Sequence, residues 1–109
     1  MATPKPGAPV RGSRSGRPVM ALLDLLGRRW ALRMLWELRA GALTFRALRE
    51  ACENVSPSVL NARLSELRAS GLVELREGEG YALTPRAEEL GALLLPLDGW
   101  ARRWARRRP

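Results

Sequence analysis

The sequence predicts a mainly α fold with a small β-hairpin, an α+β class, and three observations carry that expectation. Apolar residues recur at helical spacing in five stretches. Proline, serine, threonine and glycine stand where those stretches should begin and end. Between the fourth and fifth, two short alternating segments flank a glycine-rich turn. A chain of 109 residues has room for one domain, and a 46% hydrophobic content is ordinary for a globular one.

The first helix starts at Pro18, a residue suited to a first turn, and ends at Gly27. It carries Val19, Leu22, Leu23 and Leu26 along one side. A second helix is expected from about Arg29 to Ala40, with Trp30, Met34, Leu35 and Leu38 at helical spacing and Gly41 as its stop. Thr44 caps a third, whose Phe45, Leu48 and Cys52 share a face. Cys52 therefore reads as a small core residue rather than a reactive thiol.

The next helix, 57–70, has both ends specified. Ser56 is the N-cap, Pro57 takes the first helical position, and Val55 with Leu60 forms a hydrophobic staple. Leu60, Leu64 and Leu67 make the inward stripe. Gly71 suits a left-handed cap that folds Leu72 back onto Leu67. The opposite face holds Ser58, Ala62, Ser65 and Ala69, flanked by Asn61 and Arg68. Such a small, largely uncharged face permits close approach to something large.

The hairpin reads VELR, EGEG, YAL. Thr84 and Pro85 then open a last helix bearing Leu90, Leu93, Leu94, Leu97, Trp100 and Trp104, which Pro96 must kink or restart. Three helices followed by a hairpin is the order of a winged helix-turn-helix. Its helix-turn-helix would be 45–52 and 57–70, with Glu53 to Ser56 as the turn, and its second helix would enter a DNA major groove.

The charge is unevenly placed. Lys5, Arg11, Arg14 and Arg17 give residues 1–17 a charge of +4, and five arginines give residues 101–109 a charge of +5, while 18–100 is close to neutral. Basic ends of this kind meet phosphate, or serve only solubility. The expected organisation is a disordered basic arm over 1–17, a domain with dimerisation helices over 18–104, and a basic tail over 105–109. With no histidine, a Ser-His-Asp triad and His-ligated zinc or haem are excluded, and one cysteine allows neither an intrachain disulfide nor a zinc knuckle. The expectation is a protein that is not an enzyme and needs no cofactor or metal. A basic start before VMALLDLL has the look of a signal peptide, yet that run is short, contains Asp24 and is followed by LGRRW rather than a cleavage site. The Arg- and Ser-rich, acid-free start also resembles an organelle transit peptide, a minor reading. No apolar run approaches the ~20 residues of a membrane span, so a soluble, cytoplasmic protein is expected.

The stretches ALLDLLGRRW, LTFRALREAC, VSPSVLNARLSELRASGLVE and YALTPRAEELGALLLPL, in this order and spacing, resemble the HxlR-type transcriptional regulators over roughly residues 18–104. The resemblance implies a bacterial or archaeal regulator working as a homodimer on a partly palindromic operator. It also implies that the first and last helices build the dimer interface, here Leu22, Leu23, Leu26, Leu94, Leu97, Trp100 and Trp104. Three departures stand out. Arg17-Pro18-Val19 replaces the Cys-Pro-Val setting of redox-sensing members. Asn61-Ala62-Arg63-Leu64 stands where the family has something like TQRL. The wing is short, with an acidic tip of Glu77-Gly78-Glu79-Gly80.

The expected DNA contacts divide by chemistry. Asn61 reads adenine or is merely solvated, and Ala62 touches a thymine methyl. Ser58 and Ser65 bond base or phosphate, or are plain surface. Thr44, Arg46, Arg49, Ser56 and Arg68 lie near the backbone, and Arg46 and Arg49 suit phosphate better than bases. Arg63 meets phosphate or pairs with Glu66, and Arg76 is the wing's one cation. Arg11, Arg14 and Arg17 belong to the arm. The partners expected are double-stranded DNA and a second copy, with no membrane. A small-molecule effector is left open, including a planar ligand held by Trp100 and Trp104 across the dimer. The alternative is a winged-helix protein-interaction module without sequence-specific DNA binding.

Overall fold

The computed structural model describes residues 3–7 and 16–107. Helix α1 (Pro18–Leu26) leads into α2 (Ala31–Leu38), then α3 (Phe45–Ala51) and α4 (Pro57–Ala69). Strands β1 (Val73–Arg76) and β2 (Gly80–Leu83) form the hairpin, and α5 (Pro85–Leu94) and α6 (Pro96–Arg107) complete the chain. The mainly α winged helix-turn-helix expected from the sequence is what the chain forms.

The leucine stripes converge. Leu60, Leu64 and Leu67 of α4 meet Met34 and Leu38 of α2, Leu48 and Cys52 at α3, and Leu25 and Leu26 of α1. Phe45 and Val55 pack on the edge of this core. Each buried leucine contributes about 1.5–3 kcal/mol over an exposed one. Burial raises the Cys52 thiol pKa, so Cys52 stays protonated among apolar neighbours.

The end of α4 is closed as its sequence requires. Gly71 takes φ 75°, its N–H donates to Arg68 O at 3.0 Å, and the Leu72 N–H donates to Leu67 O at 2.9 Å. Thr84 then ties the base of the hairpin to this cap. Its hydroxyl donates to Gly71 O at 2.6 Å, its N–H donates to Leu72 O at 3.1 Å, and Oγ1 accepts from the Ala87 N–H, opening α5. The hairpin pairs Val73 with Leu83 and Leu75 with Tyr81. Leu43 adds one further rung by exchanging backbone hydrogen bonds with Tyr81 at 2.7 and 2.9 Å. Gly80, at φ 103°, passes so close that a Cβ would collide with the Leu43 carbonyl. The wing is therefore fixed beside α4 at both its ends.

Some helix boundaries differ from expectation. Helix α2 begins at Ala31 rather than Arg29, because Trp30 sits in the left-handed region at φ 73°. The last helix does restart at Pro96, but it runs to Arg107, past the expected domain end at 104. Arg106 and Arg107 in its last turn favour that extension through the helix dipole. In the arm expected to be disordered, Pro4 is buried and the Gly7 N–H donates to Gly16 O at 2.9 Å. Arg11 and Arg14 lie outside the described residues.

Candidate nucleic-acid interface

Two caps set the entrances of the helix-turn-helix. Thr44 Oγ1 accepts from the Ala47 N–H at 3.1 Å, and Ser56 Oγ accepts from the Val59 N–H at 3.3 Å. The turn between α3 and α4 holds Glu53 and Asn54 in left-handed conformations, both at φ 57°. It is stapled by Arg49, whose Nε donates to Val55 O at 2.8 Å.

Helix α4 turns Ser58, Asn61, Ala62, Ser65, Arg68 and Ala69 to solvent. With the hairpin it bounds a groove of about 650 Å³, where Asn61, Ser65 and Arg68 face Glu74, Leu75 and Tyr81. The structure thus brings Asn61, Ser65 and Arg68, three of the residues expected at DNA, to one side of a single groove. Arg46 projects from α3 with its side chain 91% exposed, in a 3.3 Å pair with Glu50. Such a surface pair is worth little and exchanges readily for phosphate.

Three arginines expected at DNA are engaged elsewhere. Arg49 holds the turn, as above. Arg63 donates to Arg29 O at 2.9 Å and pairs with Glu66, which is the alternative weighed for it. Arg76 lies along the hairpin, 2.7 Å from Glu74 and 3.3 Å from Leu83 O. Its hydrogen bond to Glu74 raises the Arg76 pKa further, so the wing's cation is neutralised locally while Glu77 and Glu79 stay exposed at the tip. Arg17 is exposed at the N-cap of α1.

A second surface of different character lies on the last two helices. Leu97, Trp100 and Trp104 are each 55% exposed, and the two indoles stack at 6.0 Å with a 12° interplanar angle. Leu93 on α5, expected in the apolar run of the last helix but not among the interface residues, is 75% exposed as well. On α1 only Leu23 of the three expected leucines is fully outward. Leu26 is a correction: it belongs to the core of the protomer, and Leu22 packs partly against that core. Leu94 and Leu97 also line an apolar groove of about 770 Å³ against Leu32, Leu35 and Trp36 of α2. Among the described residues no group of three or more side chains is placed to hold a metal ion, and no helix is long and apolar enough to cross a membrane.

A family model, the HxlR-like helix-turn-helix, matches residues 25–109. The chain belongs to that family. The HTH-type transcriptional regulator YvaP of Bacillus subtilis is 31% identical over 88 residues, covering 75% of this chain and 82% of its own length. A solved chain from Thermoplasma volcanium, described as a possible HxlR family transcriptional factor, is 30% identical with a TM-score of 0.70, over 79% of this chain and 83% of that one. The quinone-bound YodB of Bacillus subtilis superposes equally well, with a TM-score of 0.70 and 28% identity over 78% of this chain and 94% of that one. Within the HxlR-like family the chain is a DNA-binding transcriptional regulator, and α3 with α4 is its helix-turn-helix.

Proposed function

We propose that this regulator acts as a homodimer on a partly palindromic operator, as a binding protein in the cytoplasm rather than an enzyme. The observation that supports the dimer is the stripe Leu93, Leu97, Trp100 and Trp104, exposed on helices of which α6 buries no residue. An apolar patch of this size on one protomer marks an interface, and a two-fold partner brings the same stripe to meet it. The two α4 helices would then enter successive major grooves, about 34 Å apart. Asn61 reads a base edge, Ala62 a thymine methyl, Ser58 and Ser65 a base or phosphate. Arg46 and Arg68 hold phosphates, and Thr44 and Ser56 at the N-terminal ends of α3 and α4 lie near the backbone as well. The arm arginines Arg11, Arg14 and Arg17 add phosphate contacts that the acidic wing does not supply. The likeness to quinone-bound YodB supports a small-molecule effector, for which the Trp100–Trp104 stack offers a planar surface.

The acidic wing favours a second reading, a protein-interaction module without sequence-specific DNA binding. Selection of genomic fragments on the purified protein decides between them. Enrichment of one short palindrome is the expected result; no enrichment at low salt would favour the second reading.

A further inference from the structure

Helix α4 carries, on the flank between its DNA face and its leucine stripe, a charged cluster that base reading does not use. Glu66 is buried, at 9% exposure, and accepts from two arginines: Arg28 in the α1–α2 turn and Arg63 one turn earlier. Arg28 is itself buried, and its second guanidinium nitrogen lies 3.4 Å from Asp24 on α1. Arg63 makes a second link by donating to Arg29 O at 2.9 Å. The next residue, Trp30, holds the strained left-handed conformation at φ 73°. A bulky residue stays in that region only where its surroundings over-determine it. The two arginine links fall on the residues immediately before it, beside the packing of its own ring on the core.

A buried ion pair is a weak device for stability, because desolvation consumes most of the attraction; its better-attested use is to fix one arrangement among several. The arrangement fixed here is that of α1 against α4. Asp24 belongs to α1, whose Leu23 faces outward, and Arg28 follows that helix directly, while Glu66 and Arg63 lie on α4, beside the residues of its DNA face. We infer that Glu66 is a positioning residue: through Arg28 and Arg63 it sets the angle of the recognition helix to α1, which the family resemblance places in the dimer interface together with the last helix, and so the half-site spacing the dimer accepts. This rests on the homodimer reading above. A dimer can demand recognition helices one DNA turn apart only if each is rigidly joined to the interface. Apolar packing alone tolerates small shifts that a buried, multiply bonded charge does not.

The test uses the full chain and an operator obtained by fragment selection, together with derivatives carrying one base pair inserted or removed at its centre. The unmodified protein should bind these derivatives at least tenfold more weakly than the operator. Glu66→Gln, which keeps the shape but removes the charge, should reduce that penalty to about threefold or less, with an unchanged sedimentation coefficient and salt slope. Arg63→Lys keeps its charge but cannot reach Glu66 and Arg29 O together; it should loosen the spacing in the same way and serves if the first variant fails to fold. A folded variant that keeps the tenfold penalty overturns the inference, as does a parallel loss on operator, derivatives and random DNA. An unmodified protein indifferent to spacing would instead overturn the homodimer reading, and the inference with it.

Discussion

Helices α4 and α6 both turn one face outward, and the two faces are opposite in kind. The outward residues of α4 are small and mostly uncharged, while its leucines are fully used within the protomer. Helix α6 presents two stacked tryptophans and a leucine, and no residue of it is buried. A face of serines, alanines and one asparagine gains little from excluding water, so it suits a polar surface that must be approached closely, as a DNA groove is. A face of indoles loses free energy as long as it stays wet, at about 25 cal/mol per Å². The first face is complete and the second is half of something. That contrast, more than net charge, separates the surface that reads from the surface that assembles.

The contrast can be broken from either side. Changing both Leu97 and Trp104 to Glu should have the largest effect: a monomer by sedimentation, with operator affinity reduced at least a hundredfold by gel shift and with random-DNA binding per protomer much less affected. Removing residues 1–17 should come next. Each phosphate neutralised contributes about 0.9 to the slope of log affinity against log salt, and the arm carries Lys5, Arg11, Arg14 and Arg17. A salt titration should show the slope flattened by several units per dimer, on operator and random DNA alike; an unchanged slope would assign the phosphate contacts to the body. Asn61→Ala should do the reverse, costing about 1–3 kcal/mol on the operator while leaving the salt slope as it was.

The smallest effect belongs to Cys52. Replacement by Ala should cost about 1 kcal/mol or less, measured by urea unfolding, since little volume is lost. Its folded-state pKa is raised by burial, so the proton is held more tightly in the folded than in the unfolded chain. Stability from this group is full below the unfolded thiol value of about 8.5 and falls as pH rises through the folded value. The decline in stability above that pH should be shallower in the Ala variant.

What the sequence made legible was local. Ser56-Pro57 and Gly71-Leu72 specify the two ends of α4 within a few residues, and the hairpin is written in adjacent segments. The outward face of α4 followed directly, because a helix with known ends and a leucine stripe has only one other side. The arginines were harder. Arg49, Arg63 and Arg76 find carbonyl oxygens of Val55, Arg29 and Leu83, and those acceptors come within reach only after folding. An exposed cation and a clamped one look alike in sequence. Leu26 was misplaced because α1 is apolar nearly all round, so its period did not say which flank the core would cover; Ala21 and Leu25 share that flank. The late start of α2 depends on Trp30, which follows an Arg29 carbonyl bonded by Arg63 of α4, more than thirty residues along the chain.

Sedimentation equilibrium of the unmodified protein at micromolar concentration tests the central claim most directly, since everything about the operator follows from the stripe on α5 and α6 being an interface. A species of twice the chain mass is expected, unchanged by salt because the contact is apolar. A single-chain mass at that concentration would contradict it.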